Sequence, residues 1–179
     1  MILKMYVTLM PVILAGILNM IFTKTSIYNK LRKPIDGGKK LKDEKEIFGK
    51  NKTWIGFFSM IIFGIISQVV WGFLCGNLLF LNDKNYIYID TPNTLINNII
   101  IGAVLGFAYV ICELPNSFIK RRLDITPGKT EKGIIGKLFF IIDQIDSIIG
   151  VTFVLGFWYK MPLYQFFLFI LLGGFTHIV

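Results

Sequence analysis

The chain has 179 residues, 54% of them hydrophobic, with a mean hydropathy of +0.65 and a formal net charge of +8. Soluble domains are apolar over about 45–50% of their residues, whereas here the apolar residues gather in blocks of roughly twenty, the length a helix needs to cross a bilayer. This excludes a water-soluble enzyme. The positive charge lies between the blocks rather than on a base-reading module, which argues against nucleic acid and for contact with membrane lipids.

Five blocks predict five transmembrane helices in one all-α membrane domain covering residues 1–179. The first, about 5–22, is too long and too poorly followed by small residues for a cleaved signal peptide, and reads as a retained helix. After it, Thr23 to Trp54 holds ten Lys or Arg and includes "RKPIDGGKKLKDEKEIFGKNKTW". Pro34 and Gly37-Gly38 mark a tight turn there. Gly49, Lys50, Lys52 and Thr53 then stand just before the second block, about 55–80. Glycine lets a phosphate approach the backbone and lysines neutralise it. The spacing is not that of a Walker loop, and a Lys-rich flank of a span is the plainer reading.

The loop Leu81 to Thr94 carries only Lys84, and the third block follows at about 95–112. Glu113 ends it, and Pro115 to Lys137 holds six more Lys or Arg. A helix resuming after Pro115 aligns Asn116 with Lys120 and Ser117 with Arg121, each pair four apart. An amide or hydroxyl one turn from a cation can grip a phosphate. The same residues also read as a basic flank and nothing more.

The fourth block, about 134–157, contains Asp143 and Asp146. Three apart on a helix, they share a face with Cβ atoms about 5–6 Å apart. Each acid costs about 2.5–3.5 kcal/mol at a span centre. A magnesium ion would offset that cost and their repulsion, since hard oxygen ligands suit it. Two other readings stay open: a helix that starts later and leaves both acids solvated, or ion pairs with Lys137 or Arg121. The fifth block, about 162–179, ends the chain.

The two basic loops hold sixteen of the nineteen cations. The positive-inside rule makes both cytoplasmic, with the N-terminus outside and the C-terminus inside. Trp54, Trp71, Tyr86, Tyr88, Trp158 and Tyr159 fall near span ends, as an interfacial belt would. Cys75 and Cys112 have no CxxC partner, and His177 is the single histidine. Zinc hydrolysis and histidine-activated nucleophiles therefore have little support. The sequon Asn51-Lys52-Thr53 lies on the cytoplasmic side, and no internal repeat suggests an inverted-repeat transporter. Two phosphate-friendly loops and one acid pair on a single side of the membrane match what a nucleoside triphosphate with magnesium needs.

"PIDGG", "IFGKNKTW", "NSFIKRRL" followed by "TPG", and "DQID", in this order, resemble the CDP-archaeol synthase family. These are membrane CTP:lipid-phosphate cytidylyltransferases related to the CDP-diacylglycerol synthases. The resemblance runs from Pro34 to Gly150, and the family's five-span layout agrees with the block count. It implies transfer of CMP from CTP to a phosphorylated lipid alcohol, for phospholipid synthesis at the cytoplasmic face of the cell membrane. That lipid is 2,3-bis-O-geranylgeranylglyceryl phosphate or phosphatidic acid. It implies Mg2+ on Asp143 and Asp146, with Lys120 beside them in catalysis. It further implies nucleotide contacts from Lys50, Asn51, Lys52, Thr53, Asn116, Ser117, Lys120 and Arg121, of which Asn51, Asn116 and Ser117 are candidate readers of cytosine.

Two departures stand out. Ile55 replaces the arginine of the family's K-T-W-R-G, removing a cation, and Asp124 replaces the glycine after R-R-L, adding an acid near the expected triphosphate. The CDP-alcohol phosphatidyltransferases also use spaced aspartates, but their D-G-x-x-A-R continuation is missing after Asp36-Gly37, and Ser147 rather than glycine follows Asp146. A small transporter or channel subunit would need a polar path, for which the third block offers mainly Asn97 and Asn98. Magnesium-dependent CTP binding separates the enzyme from that reading and from a non-catalytic membrane protein.

Overall fold

The structure is a computed structural model that describes residues 1–126 and 133–178, with side chains to Thr176. It is helical: α1 Ile2–Thr23, α2 Ser26–Leu31, α3 Trp54–Asn77, α4 Leu79–Asn82, α5 Ile87–Asp90, α6 Leu95–Arg122, α7 Gly133–Trp158 and α8 Leu163–Ile178. Among the described residues, extended pairing is limited to two isolated bridges, Pro34 with Thr53 and Lys40 with Glu46.

α1, α3, α6 and α7 are long and apolar enough to cross a membrane. The expected fifth span is shorter. α8 has 16 residues, about 24 Å at 1.5 Å per residue against a hydrocarbon core of about 30 Å. The third block is longer than expected. α6 runs unbroken through Pro115 to Arg122, so the helix does not stop and resume. The proline removes one backbone hydrogen bond without ending the helix. α7 begins at Gly133, ten residues before Asp143, which rules out a late start that leaves the acids solvated before the helix.

Small residues set the packing. In lipid, helices associate through close backbone approach rather than through expulsion of water. α6 carries Gly102 and Gly106 four apart, facing Gly64 of α3. A Cβ on Gly102 would lie 2.5 Å from the Gly64 carbonyl oxygen, and one on Gly106 would lie 2.8 Å from Ile61 Cα. A Cβ on Gly150 of α7 would meet the Ala108 carbonyl of α6 at 2.5 Å, and one on Gly173 of α8 would meet Ile148 of α7 at 2.3 Å. The helices thus stack in the order α3, α6, α7, α8, with α1 packed mainly on α3 and also against α6.

At the end away from the basic loops the bundle closes on itself. The Tyr86 amide donates to Thr8 Oγ1 of α1 at 2.9 Å, and its ring stacks on Tyr159 with centroids 4.9 Å apart. Tyr88 and Gln68 both donate to Asn98 Oδ1, at 2.8 and 3.2 Å, and Asn98 Nδ2 donates to Asn93 at 2.7 Å. Tyr86, Tyr88 and Tyr159 therefore pack inside the fold instead of forming a headgroup belt, because each hydroxyl or ring finds protein partners. Asn98 belongs to this closed network and lines no polar path.

Candidate active site

The acids sit where α6 and α7 meet toward the basic end. Asn116 and Lys120, one turn apart on α6, face Asp143 and Asp146, one turn apart on α7. The Asn116 amide nitrogen bridges both, donating to Asp143 Oδ1 and Asp146 Oδ2 at 2.7 Å each. Lys120 Nζ donates to both oxygens of Asp143 and lies over the Phe139 ring, 5.7 Å from its centroid. Asp146 Oδ1 accepts from the Ser147 amide at 2.7 Å. The ion pair is thus with Lys120, not Lys137 or Arg121. Arg121 is one residue further round α6, buried within electrostatic reach of Glu46, and its Nε has no hydrogen-bond partner among the described residues. Ser117 is half-buried beside it on α6.

A second ion pair lies one turn earlier on α6. Lys52 donates to Glu113, and both are within electrostatic reach of Asp146. Thr53 accepts from the Gly56 amide as the N-cap of α3 and bonds Tyr28 of α2 at 2.8 Å. Its hydroxyl thus starts a helix and fixes α2. Lys50 and Asn51 are exposed on the same loop and line a cavity of about 280 Å³ with Thr23, Tyr28 and Arg32.

The loop between α2 and α3 is tied by Asp36. Its carboxylate accepts from Gly38 at 2.9 Å, Phe48 at 2.8 Å and Gly49 at 3.1 Å. Burial pushes the Asp36 carboxyl up, but these backbone donors outweigh it and hold the group below its ordinary value. "PIDGG" and "IFGK" are therefore two halves of one knot. The hairpin between them docks on the end of α6. Arg122 donates to Asp43 at 2.8 Å and to the Glu46 carbonyl, and Lys45 donates to the Arg122 carbonyl at 2.9 Å and to Asp124 at 2.8 Å.

Asp124 adds no acid to the site. Its side chain is 78% exposed and paired with Lys45. It stands at φ 61°, the left-handed position that closes α6. The Asp124 amide bonds the Arg121 carbonyl, and the buried Ile125 amide bonds the Lys120 carbonyl. That is a Schellman ending, where glycine is preferred and aspartate is among the few tolerated alternatives. The expected Pro127-Gly128 lies outside the described residues, and so does the side chain of His177.

The CDP-archaeol synthase (CarS-like) family model matches residues 1–179. The chain belongs to this family. CDP-archaeol synthase of Methanocaldococcus jannaschii is 31% identical over 117 residues, 65% of this chain and 58% of that one. The Methanoculleus marisnigri CDP-archaeol synthase is 31% identical over 119 residues, 65% and 59% of the two chains. The match thus spans about six-tenths of the length of these curated relatives. A solved structure of an intramembrane enzyme for archaeal membrane lipids biosynthesis shares the fold, with a TM-score of 0.67, 20% identity and coverage of 99% of this chain and 92% of that one.

The residues present fit the metal that the CDP-archaeol synthase family implies. Two carboxylates converge on the Asn116 amide, which turns its nitrogen rather than its oxygen toward them. The carboxylates are hard oxygen donors of the kind magnesium takes. Among the described residues no group of three or more His, Cys, Asp or Glu forms a metal cluster, so a metal here would keep water or phosphate ligands.

Proposed function

We propose that this membrane protein transfers the cytidylyl group of CTP to a phosphorylated lipid alcohol and releases pyrophosphate. We further propose that the lipid is the isoprenoid-ether glycerol phosphate implied by the family's name. The observation that carries the reading is the clasp of Lys120 and Asn116 on Asp143 and Asp146, assembled from the family's own motifs. An oxygen of the lipid phosphate attacks the α-phosphorus of CTP in line, and the bond to the β-phosphate oxygen breaks. The nucleophile is already anionic, so no general base is required, and catalysis rests on positioning and charge neutralisation.

Lys120, resting on Asp143, is the cation that turns to the triphosphate, while Lys52 stays on Glu113 beside the nucleotide. Lys50, Asn51, Ser117 and Arg121 complete the nucleotide contacts, with Thr53 holding the start of α3 in place. Magnesium, held by Asp143 and Asp146 with Asn116 beside them, would supply the charge neutralisation at the phosphate oxygens.

The site faces the cytoplasm of the cell membrane in this reading, with α8 as a short fifth crossing and the N-terminus outside. Supporting it, the described parts of both cation-rich segments lie at the site's end of the bundle and the Leu81–Thr94 loop at the other. A single cysteine at Lys40, in a background lacking Cys75 and Cys112, should label from outside only after the membrane is broken. Purified protein with labelled CTP, crossed with ether and acyl-ester glycerophosphates, tests the chemistry. Formation of CDP-lipid from neither substrate would refute it.

A further inference from the structure

We propose that a cavity of about 180 Å³ between α1, the start of α3 and α6 is where the base of the nucleotide is read, with Asn19 and Thr23 of α1 as the residues that select cytosine. The inference rests on the cytidylyltransferase reading and adds to it a helix in which no sequence motif pointed to a function.

The lining argues for a base rather than a phosphate or an alkyl chain. Lys52 and Glu113, which face the cavity, are paired with each other, so the walls carry little net charge. A phosphate would be held better in the adjoining space, where Arg32 and Lys50 have no ion-pair partner among the described residues. An alkyl chain would leave the polar groups unpaired. Phe57 and Tyr28 contribute aromatic walls, as a flat heteroaromatic ring prefers.

Asn19 has the right end free. Its Oδ1 accepts from Ser59 of α3 at 2.6 Å. That leaves Nδ2 as a donor with no protein partner among the described residues, on the wall of the cavity. One turn on, the Thr23 hydroxyl donates to the Met20 carbonyl at 2.8 Å, which leaves its oxygen free to accept. A donor and an acceptor side by side match cytosine, whose ring N3 accepts and whose amine donates. Uracil presents the reverse pattern, and a site built around one pattern rejects the other because its own groups are left unpaired.

The test is equilibrium binding of CTP and UTP to purified protein, with steady-state rates alongside. Wild type should prefer CTP by about tenfold or more, as one or two discriminating hydrogen bonds allow. Asn19→Asp keeps the bond from Ser59 but replaces the donor with an acceptor, so the preference should fall to near unity. Thr23→Val keeps the shape and should weaken CTP about three- to tenfold while leaving UTP unchanged. If Asn19→Asp fails to fold, Thr23→Val decides alone. An unchanged preference in the variants, or a higher KM for the lipid phosphate with CTP binding intact, overturns the proposal. Wild type that binds CTP selectively without turning it over would refute the reaction and leave the variants to judge the base site. Wild type that binds CTP and UTP alike would refute the base site itself.

Discussion

Gly102→Ala and Gly16→Ala make the same chemical change in two spanning helices and should have opposite effects. An alanine gains up to about 1 kcal/mol of helix propensity over glycine in a helix interior. At Gly16 the new methyl meets nothing closer than the Tyr109 hydroxyl, at 3.8 Å, an ordinary contact. At Gly102 it meets the Gly64 carbonyl at 2.5 Å and Ile65 Cα at 2.7 Å, both backbone atoms that cannot rotate away. Restoring van der Waals distance there requires α3 and α6 to separate by about 1 Å along their closest approach. Overpacking of this kind costs about 1–3 kcal/mol, which exceeds the propensity gain. Thermal unfolding in detergent should show Gly16→Ala at or slightly above wild type and Gly102→Ala several degrees below. Activity should fall with Gly102→Ala as well, since Lys52, just before α3, pairs with Glu113 of α6. A Gly102→Ala protein as stable as Gly16→Ala would refute the claim that glycine contact sets this interface.

Asp143→Asn and Asp146→Asn should each lower the rate of CDP-lipid formation by about a hundredfold or more, a loss of several kcal/mol of charge stabilisation, while unfolding temperature changes little. A near wild-type rate at unchanged magnesium would remove that residue from the site. Asp124→Gly should be neutral or more stable by under about 1 kcal/mol, since relief of the left-handed strain outweighs an exposed ion pair. Asp124→Val should lose about 1–2 kcal/mol, and thermal unfolding would register both. The Asp36 carboxyl is held below its ordinary 3.8 in the folded loop. Its contribution is therefore complete above that value and fades as pH falls through the lower folded value. Limited proteolysis of the loop between α2 and α3 should accelerate only below about pH 4, and Asp36→Asn should show the faster cleavage already at neutral pH.

The acid pair was legible because two carboxylates in an apolar run demand a partner, for which the sequence offered magnesium, Lys137 or Arg121, whereas the clasp by Asn116 and Lys120 emerged only from the fold. Which cation answered was not legible. Arg121, Arg122 and Lys120 are adjacent in sequence, and only the rotation of α6 decides which one faces α7. Asp124 read as an added acid near the triphosphate, whereas its role is to hold a left-handed backbone that a residue list does not display. The glycine pair at 102 and 106 was present in the sequence as a small-xxx-small step, yet its partner Gly64 lies on another span, so the contact emerged only from the fold. Lys52 and Glu113 are equally distant in sequence. Asn19 belongs to no motif in the sequence, and its meaning comes from Ser59 and the cavity beside it.

The account stands most directly on where the phosphates of CTP go. Purified protein is incubated with magnesium, an isoprenoid-ether glycerol phosphate and CTP labelled either at the α- or at the γ-phosphate, and the label is followed between the lipid and water phases. Cytidylyl transfer predicts the α-label in the lipid and the γ-label in pyrophosphate, in equal amounts. Both labels remaining in water, or the γ-label entering the lipid, would contradict it.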